Sequence, residues 1–495
     1  MPSIVSTATH RHTTRLLPLA FAMSMGLVAP VSAQSLMEMY NAARNYDATY
    51  QAAKWQYDAT LAKAEQAKAL VLPTVGLTVS ATRTNQELVP KVESSYGNQT
   101  ASIGVSQPLY NAANWSSYEQ GQKQNALAQA QLTAAEQDLM VRVSQAYFDA
   151  LTALDSLTFV KSQKTAVSEQ LAFAKRNFEV GTSTITDTRE AQARFDLVVA
   201  QELAAENDLL VKNLALTQLV GLPDAQPNAL ALPFAIKPHE QAELSGWIEQ
   251  AMTNSPALQQ LKIALDVAKL ETSKAEAGHK PTLDLSGSYS AVNNNGTSTL
   301  PNLDTRVNQA QIGLTFKLPL FAGFAVQNKV KETLALEDKA RADLEASQRA
   351  IAQTTRTAFF GVQSLQAQVK AYEAAEASSQ SALDAYKLGY LVGVRINIDV
   401  LNSQSQLFDT KAKLAKARYD VLMGGLKLRQ AAGVLKAEDL QSVNAQWVKY
   451  FNQVLIQVSA PSGLSRCALP HHDADLPTPM QLGVRLPVLV GCAPI

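Results

Sequence analysis

The chain has 495 residues, and its 43 basic and 43 acidic side chains cancel. This balance excludes the broad basic surface that nucleic-acid binding needs, so we expect no nucleic-acid partner. Aromatic residues make up only 6% of the chain, which is typical of long helices that pack closely through small residues. The two cysteines, Cys467 and Cys492, lie near the end of the chain, so disulfides cannot hold the main body together.

Residues 1–33 have the pattern of a secretory signal peptide. Basic side chains precede an apolar run over residues 16–29, and small residues follow it at 31–33. The alternative, a membrane anchor, is disfavoured because the run is too short to span a bilayer. We therefore expect cleavage after Ala33 and a mature chain outside the cytoplasm.

Residues 34–222 predict a unit made of a helix, two strands and a helical hairpin. The first helix should end before Pro73, because proline disfavours helical geometry in the residue before it. Apolar residues then alternate with hydroxyl-bearing residues and glycines over two predicted strands, at about 73–83 and 99–109. Residues 111–222 contain no proline and predict a long hairpin that turns at Gly181.

The same order of elements recurs in residues 244–433. A helix precedes predicted strands at about 281–292 and 307–320, and a hairpin over 323–433 turns at Gly393. The triplet Gly393, Asp399 and Gln404 repeats Gly181, Asp187 and Gln192 at one constant spacing, and the register continues without a gap. Self-similarity of this length predicts a tandem duplication.

Three segments fall outside the repeats. Residues 223–243 are rich in proline and predict a linker, and residues 434–455 are its counterpart after the second repeat. Residues 456–495 contain further prolines and no periodicity, so we expect them to be disordered or a non-native extension of the reading frame.

The four predicted strands are apolar on one face and rich in hydroxyl groups on the other. This alternation is typical of transmembrane barrel strands, although a soluble sandwich with one wet face would use the same pattern. The small hydroxyl-bearing residues of the wet face favour a water-filled lumen. Four strands are too few to close a barrel, and open sheet edges cannot face lipid. Two, three or four chains would therefore have to share one barrel.

Residues around the two turns carry a family resemblance. They are Tyr390, Gly393, Arg395, Asp399-Val400-Leu401 and Ala417-Arg418-Tyr419 in the second repeat, and Gly181, Ile185-Thr186-Asp187 and Gly221 in the first. This set resembles the TolC family of outer-membrane channels of Gram-negative bacteria. The resemblance implies a mainly α-helical homotrimer with one shared twelve-stranded transmembrane β-barrel in outer-membrane lipid and a long α-helical tunnel in the periplasm. It also implies that residues 223–243 and 434–455 form an equatorial belt.

The resemblance further implies a gate at the two turns. Tyr390 is expected to bond Asp187, and Arg395 to bond near Thr186 or a neighbouring protomer. These bonds would hold the inner hairpin against the outer one and keep the tip of the tunnel shut. The residues alone also allow a simpler interpretation, in which Asp187 is a helix N-cap that pairs with Glu190 in a capping box.

Two residues are expected to line the constriction. Asp399, repeated by symmetry, would form an anionic ring that favours cations, although as a helix N-cap it would have only a structural role. Asn402 stands where close relatives have a second aspartate, which predicts weaker cation selectivity.

The sequence contains no recognisable catalytic, cofactor or metal motif. His239 and His279 are isolated, and there is no phosphate-binding glycine loop or serine nucleophile motif. We therefore predict a passive exit duct for efflux or type I secretion. The expected partners are a periplasmic adaptor (membrane fusion protein) and an inner-membrane ABC, RND or MFS transporter. The alternative is a periplasmic coiled-coil scaffold or adaptor, but adaptors usually have one hairpin and this chain has two.

Overall fold

The computed structural model describes residues 34–88, 92–223, 225–228, 243–296 and 303–443. Several predicted segments lie outside these residues in whole or in part, namely 1–33, 223–243, 434–455 and 456–495.

The order of helices and strands is the same in both repeats. The first repeat contains α1 (Leu36–Tyr46), α2 (Ala48–Lys68), β1 (Thr74–Leu88), β2 (Val92–Tyr110), α3 (Ala112–Glu179) and α4 (Ile185–Val220). The second contains α5 (Leu244–Asn254), α6 (Pro256–Glu276), β3 (Thr282–Asn295), β4 (Asp304–Lys317), α7 (Ala325–Leu391) and α8 (Asn397–Ala431). We refer to α3 and α4 as the first hairpin, and to α7 and α8 as the second hairpin.

Each repeat starts with two helices where one was expected. Asp47 separates α1 from α2, and its carboxylate accepts a hydrogen bond from the Tyr50 N–H at 2.7 Å and two from Arg142 at 3.0 Å. In the second repeat Ser255 occupies the corresponding break, and Pro256 is the first residue of α6. A side-chain cap and a proline at the first position both favour a new helix start, which explains the interruption.

The long helices are α3 and α7, with 68 and 67 residues. At 1.5 Å per residue each is about 100 Å long. The return helices α4 and α8 have only 36 and 35 residues. The remaining length is covered by α2 against α3, and by α6 against both α3 and α7. Within the described residues, no helix is both long enough and apolar enough to cross a membrane.

The strands form one antiparallel sheet in the order β1-β2-β3-β4. The two repeats therefore meet where β2 pairs with β3. Directly opposed residues of the four strands form rows that are either apolar or polar. Leu77, Ile103, Tyr289 and Ala310 form an apolar row, and Thr78, Ser102, Ser290 and Gln309 form the polar row next to it. The predicted separation into an apolar face and a hydroxyl-rich face is confirmed.

The β1–β2 pair extends farther than the alternation alone indicated. β1 continues to Leu88 instead of ending near residue 83, and β2 starts at Val92 instead of near residue 99. Residues 84–88 and 92–98 lie outside the predicted strands, but they pair in register as strand partners. Backbone pairing with the neighbouring strand thus extends the ladder beyond the alternating segment.

The apolar face of this sheet is uncovered in the described part of the chain. Leu77 is 73% exposed, Ile312 81% and Phe316 64%. No second sheet packs against this face among the described residues, as the alternative sandwich would require, and β1 and β4 each have one open edge there. An exposed apolar sheet with open edges is prone to pair with further strands.

Helix α8 of the second hairpin packs against the first hairpin as well as against α7. Near the turns, Leu401 of α8 is buried in a cluster with Val167, Leu171, Ala174, Ala191 and Val198 of the first hairpin. On its other side, α8 packs against Leu383 of α7 through Val400 and Leu407. The start of α8 is therefore held between α7 and the first hairpin, and the candidate site lies there.

Candidate functional site

The two turns have nearly the same backbone. Gly181 and Gly393 both have φ of +77°, a left-handed conformation that strongly favours glycine. The Thr182 N–H donates to the Asn177 carbonyl at 2.8 Å, and the Val394 N–H donates to the Gly389 carbonyl at 2.9 Å. These bonds end α3 and α7 in the same way.

A second glycine of the second turn makes room for Arg395. A Cβ atom on Gly389 would lie 2.8 Å from Arg395 Cγ, so any larger residue there would force the arginine side chain to shift from its position across the end of α7. The Arg395 guanidinium carbon lies 4.9 Å from the centre of the Tyr386 ring, and its Nη1 lies 3.7 Å from Asp399 Oδ2. Within one chain, Arg395 therefore binds its own hairpin.

The expected contact between Arg395 and Thr186 is not among the hydrogen bonds of the described residues. Thr186 lies in the first turn of α4 and is exposed. Its hydroxyl is therefore open to a neighbouring molecule, and the exposed Arg395 is open in the same way.

Asp187 belongs to the cap of α4, but not in the expected arrangement. The N-cap is Thr184, whose Oγ1 accepts from the Asp187 N–H at 3.2 Å. In return, Asp187 Oδ2 accepts from the Thr184 N–H at 3.0 Å and the Ser183 hydroxyl at 2.7 Å. The capping box therefore joins Thr184 to Asp187, and the predicted box of Asp187 with Glu190 is wrong.

These bonds also determine the charge of Asp187. Burial on its own would raise the pKa of the carboxyl group, but hydrogen bonds from Ser183 and Thr184 outweigh it and lower the pKa below its ordinary value. Asp187 is therefore ionised at neutral pH, and its Oδ2 is already bonded within its own turn.

Tyr390 approaches Asp187, but the two share no hydrogen bond among the described contacts. Asn177 of α3 lies near its hydroxyl and acts to lower the pKa of Tyr390, and its ring packs edge-on against Phe173 with centroids 5.9 Å apart. Burial and the nearby charge of Asp187 both raise the pKa of Tyr390. The expected bond between Tyr390 and Asp187 is absent from the described contacts, in which the hydrogen bonds to the Asp187 carboxylate come from Ser183 and Thr184.

The contacts of Asp399 and Asn402 differ from those predicted from the sequence. The N-cap of α8 is Ile396, so the interpretation of Asp399 as an N-cap is wrong; its carboxylate is paired with Arg395. Asn402 Oδ1 accepts a hydrogen bond from Arg194 Nη2 of α4 at 2.6 Å. Asn402 thus contributes a link between the hairpins in addition to any role in a constriction.

Sequence reasoning missed Asn397, the first residue of α8. Its side chain is fully buried and bonds Gln170 of α3 and the backbone of Asp187. The signal that could have identified it is a lone amide between Ile396 and Ile398, since a polar residue within an apolar run at a helix start is buried only with partners.

The described residues contain no cluster of three or more His, Cys, Asp or Glu side chains that could hold a metal ion. The arrangement at the turns is a set of hydrogen bonds and ion pairs. It can hold two hairpins together or release them, and it offers no group poised for covalent chemistry.

Comparisons with known proteins agree with this architecture. The profile of the family described as "Outer membrane efflux protein" matches residues 39–222 and 247–434. Outer membrane protein TolC of Vibrio cholerae is 34% identical over 432 residues, which cover 87% of this chain and 98% of that protein. Alkaline protease secretion protein AprF of Pseudomonas aeruginosa is 29% identical, with 84% of this chain and 88% of that protein covered.

A solved structure has the same fold. The outer membrane protein VceC of Vibrio cholerae matches with a TM-score of 0.68 at 19% sequence identity, over 80% of this chain and 96% of that one. The family profile covers both repeats, including the turns that carry the candidate site. The chain belongs to the outer membrane efflux protein family.

Proposed function

We propose that the chain is one subunit of a trimeric outer-membrane channel that serves as a passive exit duct for efflux or type I secretion. Three copies of the sheet form one twelve-stranded barrel in the outer membrane, and the long hairpins form a tunnel that extends into the periplasm. The tunnel opens and closes at the tip formed by the two turns.

One observation carries this proposal: an amphipathic sheet of four strands with two open edges. The exposed apolar face suits lipid, and the hydroxyl-rich face suits water. Open edges are not tolerated in a bilayer, because no water is available to bond their N–H and C=O groups. Pairing β4 of one copy with β1 of the next removes every free edge when the ring closes.

The helices offer a second argument for neighbouring copies. Leu203, Leu210 and Leu214 of α4 are all exposed in the single chain, and their spacing follows a coiled-coil seam. Leu334 and Leu336 on α7 are exposed as well. In the trimer these surfaces pack against adjacent hairpins.

Tyr390, Asp187, Arg395 and Thr186 form the gate of this duct. In one chain, the Tyr390 ring packs against Phe173 of the first hairpin and its hydroxyl lies near Asn177, which ties the second hairpin to the first. Arg395 and Thr186 are exposed and bond a neighbouring protomer in the trimer. Each such bond contributes about 1–3 kcal/mol, so a partner protein that offers competing contacts can open the gate.

Asp399 forms an anionic ring at the constriction by symmetry, and this ring favours cations. Its charge is partly offset by Arg395 at 3.7 Å. Asn402 adds no charge to the ring, so cation selectivity is weaker than with an acid at that position.

The chain supplies a conduit and has no enzymatic activity of its own. Energy for export comes from an inner-membrane ABC, RND or MFS transporter, coupled to the duct through a periplasmic adaptor. Relatives carry the names of efflux proteins and of protease secretion proteins, which is why both drugs and polypeptides are candidate cargo. Deleting the gene and screening for loss of export across drugs, metals and secreted proteins identifies the cargo class.

The assembly itself is tested with the purified full chain. We expect extraction from the outer-membrane fraction only with detergent, a mass of three chains, heat-sensitive migration on gels, and ion-conducting channels in planar bilayers. A monomer that dissolves without detergent contradicts the proposal and favours the periplasmic scaffold.

A further inference from the structure

Asn397 places a buried amide at the contact between the two hairpins. It is the first residue of α8, and none of its surface is exposed. Its Oδ1 accepts a hydrogen bond from Gln170 Nε2 of α3 at 2.5 Å. Its Nδ2 donates to the Asp187 carbonyl of α4 at 3.3 Å. One side chain of the second hairpin is therefore bonded to both helices of the first.

The surroundings of Asn397 make both bonds necessary. Val400 and Leu401, in the same turn of α8, are buried and apolar. Leu401 also belongs to the apolar cluster of the first hairpin. A buried amide that loses its partners keeps the full cost of its desolvation. Any shift of α8 along the first hairpin leaves the Asn397 amide buried without hydrogen-bond partners. The observed position of α8 is therefore strongly preferred over shifted positions.

The other polar contacts at the second turn are less suited to hold the hairpins together within one chain. Arg395 lies over its own hairpin. The Arg194–Asn402 bond crosses between hairpins, but it is exposed to solvent, where water competes for both groups. Tyr390 is only partly buried. Among the polar side chains of the described turns, Asn397 alone combines complete burial with bonds to two helices of the other hairpin.

We infer that Asn397 is the latch of the closed tip: its bonds to Gln170 and to the Asp187 backbone fix the position of the second hairpin on the first and set the free energy that opening requires. This inference rests on the proposed function, because it needs a tip that opens. Asn397 is a positioning residue, since it acts by holding α8 and does not line a path for cargo.

The test measures single-channel conductance and open fraction of the purified full-length protein in planar bilayers. The variants are Asn397→Ala, Gln170→Ala and the two combined. Gln404→Ala is the matched control, because Gln404 is a buried amide of the same helix whose Oε1 has no hydrogen-bond partner among the described residues. Tyr390→Phe with Arg395→Ser is the reference for the proposed gate. Thermal unfolding is recorded for every variant.

We expect Asn397→Ala to increase the open fraction about tenfold, which corresponds to about 1.4 kcal/mol. Gln170→Ala should increase it by a smaller factor, and adding Gln170→Ala to Asn397→Ala should change little, because the two residues share one bond. Gln404→Ala should leave the open fraction unchanged. A residue with only a structural role would lower the unfolding temperature without changing the open fraction.

Two results overturn the inference, and they are distinguishable. If the Tyr390→Phe, Arg395→Ser reference opens the channel while Asn397→Ala and Gln170→Ala both conduct as the unaltered protein does, the latch is wrong and the proposed function stands. If the unaltered protein and every variant fail to form ion-conducting channels, both proposals are wrong. Should Asn397→Ala not fold, Gln170→Ala alone decides, because Gln170 is only partly buried and lies within a long helix.

Discussion

The two turns at the hairpin tips share a backbone and differ in how the following helix begins. At the first turn, Thr184 and Asp187 close a capping box, so the N–H groups of both residues are satisfied locally. At the second turn, the N-cap is Ile396, whose side chain makes no cap hydrogen bond. The neighbouring Asn397 instead bonds the first hairpin.

This difference shows how a duplicated element can take on two roles. The first turn is stabilised by bonds within itself, whereas the start of α8 depends on contacts with the first hairpin. The two hairpins therefore respond unequally to a force at the tip. We expect the second hairpin to move and the first to stay in place, and the following predictions test that asymmetry.

The apolar contact between the hairpins should contribute most to stability. Leu401→Ala should lower the free energy of unfolding by about 3 kcal/mol, because Leu401 is fully buried against the first hairpin. Urea unfolding followed by circular dichroism measures the change. Leu391→Ala is the control, since Leu391 is 70% exposed at the end of α7. Equal losses in both variants would show that Leu401 does not join the hairpins.

The next effect concerns the proposed gate. Tyr390→Phe with Arg395→Ser removes the hydroxyl that lies near Asn177 and Asp187 and the arginine contacts with Tyr386 and Asp399. A loss of about 2 kcal/mol of closing free energy is expected, and single-channel conductance should rise.

Tyr386→Phe is the matched control for this pair, because it keeps an aromatic ring beneath Arg395. It should conduct as the unaltered protein does. If conductance is the same in all three proteins, the gate assignment of Tyr390 and Arg395 is untenable.

A substitution at Ile396 can give α8 the side-chain N-cap bond that it lacks. Ile396→Thr should let the N-cap side chain accept the Asp399 N–H, as Thr184 does for Asp187, in place of the present bond to the Ile396 carbonyl at 3.2 Å. Such a cap is worth about 1 kcal/mol, and Ile396 is exposed, so little burial is lost. Hydrogen exchange at residues 397–400 should slow, and the open fraction should fall. Thr184→Ala is the converse change and should speed exchange at the start of α4. An unchanged rate at α8 would mean that docking, and not capping, already limits its opening.

Acid should remove the stability that ionised Asp187 gives to the first turn. The pKa of Asp187 is lower in the folded protein than its ordinary value of 3.8, so the unfolded chain binds more protons in that range. Stability from Asp187 is therefore fully present above pH 3.8 and is lost as pH falls through the lowered folded value. The difference in unfolding midpoint between the unaltered protein and Asp187→Asn should shrink over this interval. A constant difference would exclude ionised Asp187 as its cause.

The smallest effects concern ion selectivity. Asp399→Ala should shift the reversal potential in a salt gradient towards anions, but only modestly, because Arg395 already offsets part of the charge. Asn402→Asp should shift it towards cations by still less, since Arg194 lies within hydrogen-bond distance of that position. If Asp399→Ala leaves the reversal potential unchanged, Asp399 has only a structural role near the start of α8.

Several contacts of the fold and of the site were out of reach of sequence reasoning for a common reason. Asp47, at the break between α1 and α2, accepts two hydrogen bonds from Arg142, which is far away in the chain. The neighbours of Tyr390 belong to the other hairpin. The importance of Asn397 depends on its complete burial, which arises only when α8 lies against the first hairpin. Each of these is a contact between segments that no local pattern connects.

The repeat, the long helices, the two-faced strands and the glycines at both turns could be predicted from the sequence, because each follows from periodicity or from backbone conformation within a few residues. Which side chains bridge the hairpins, and which cap their own helix, follows from how the helices pack. Hydrogen-bond partners are assigned by distance and burial after packing, and the two turns, so alike along the chain, are packed differently.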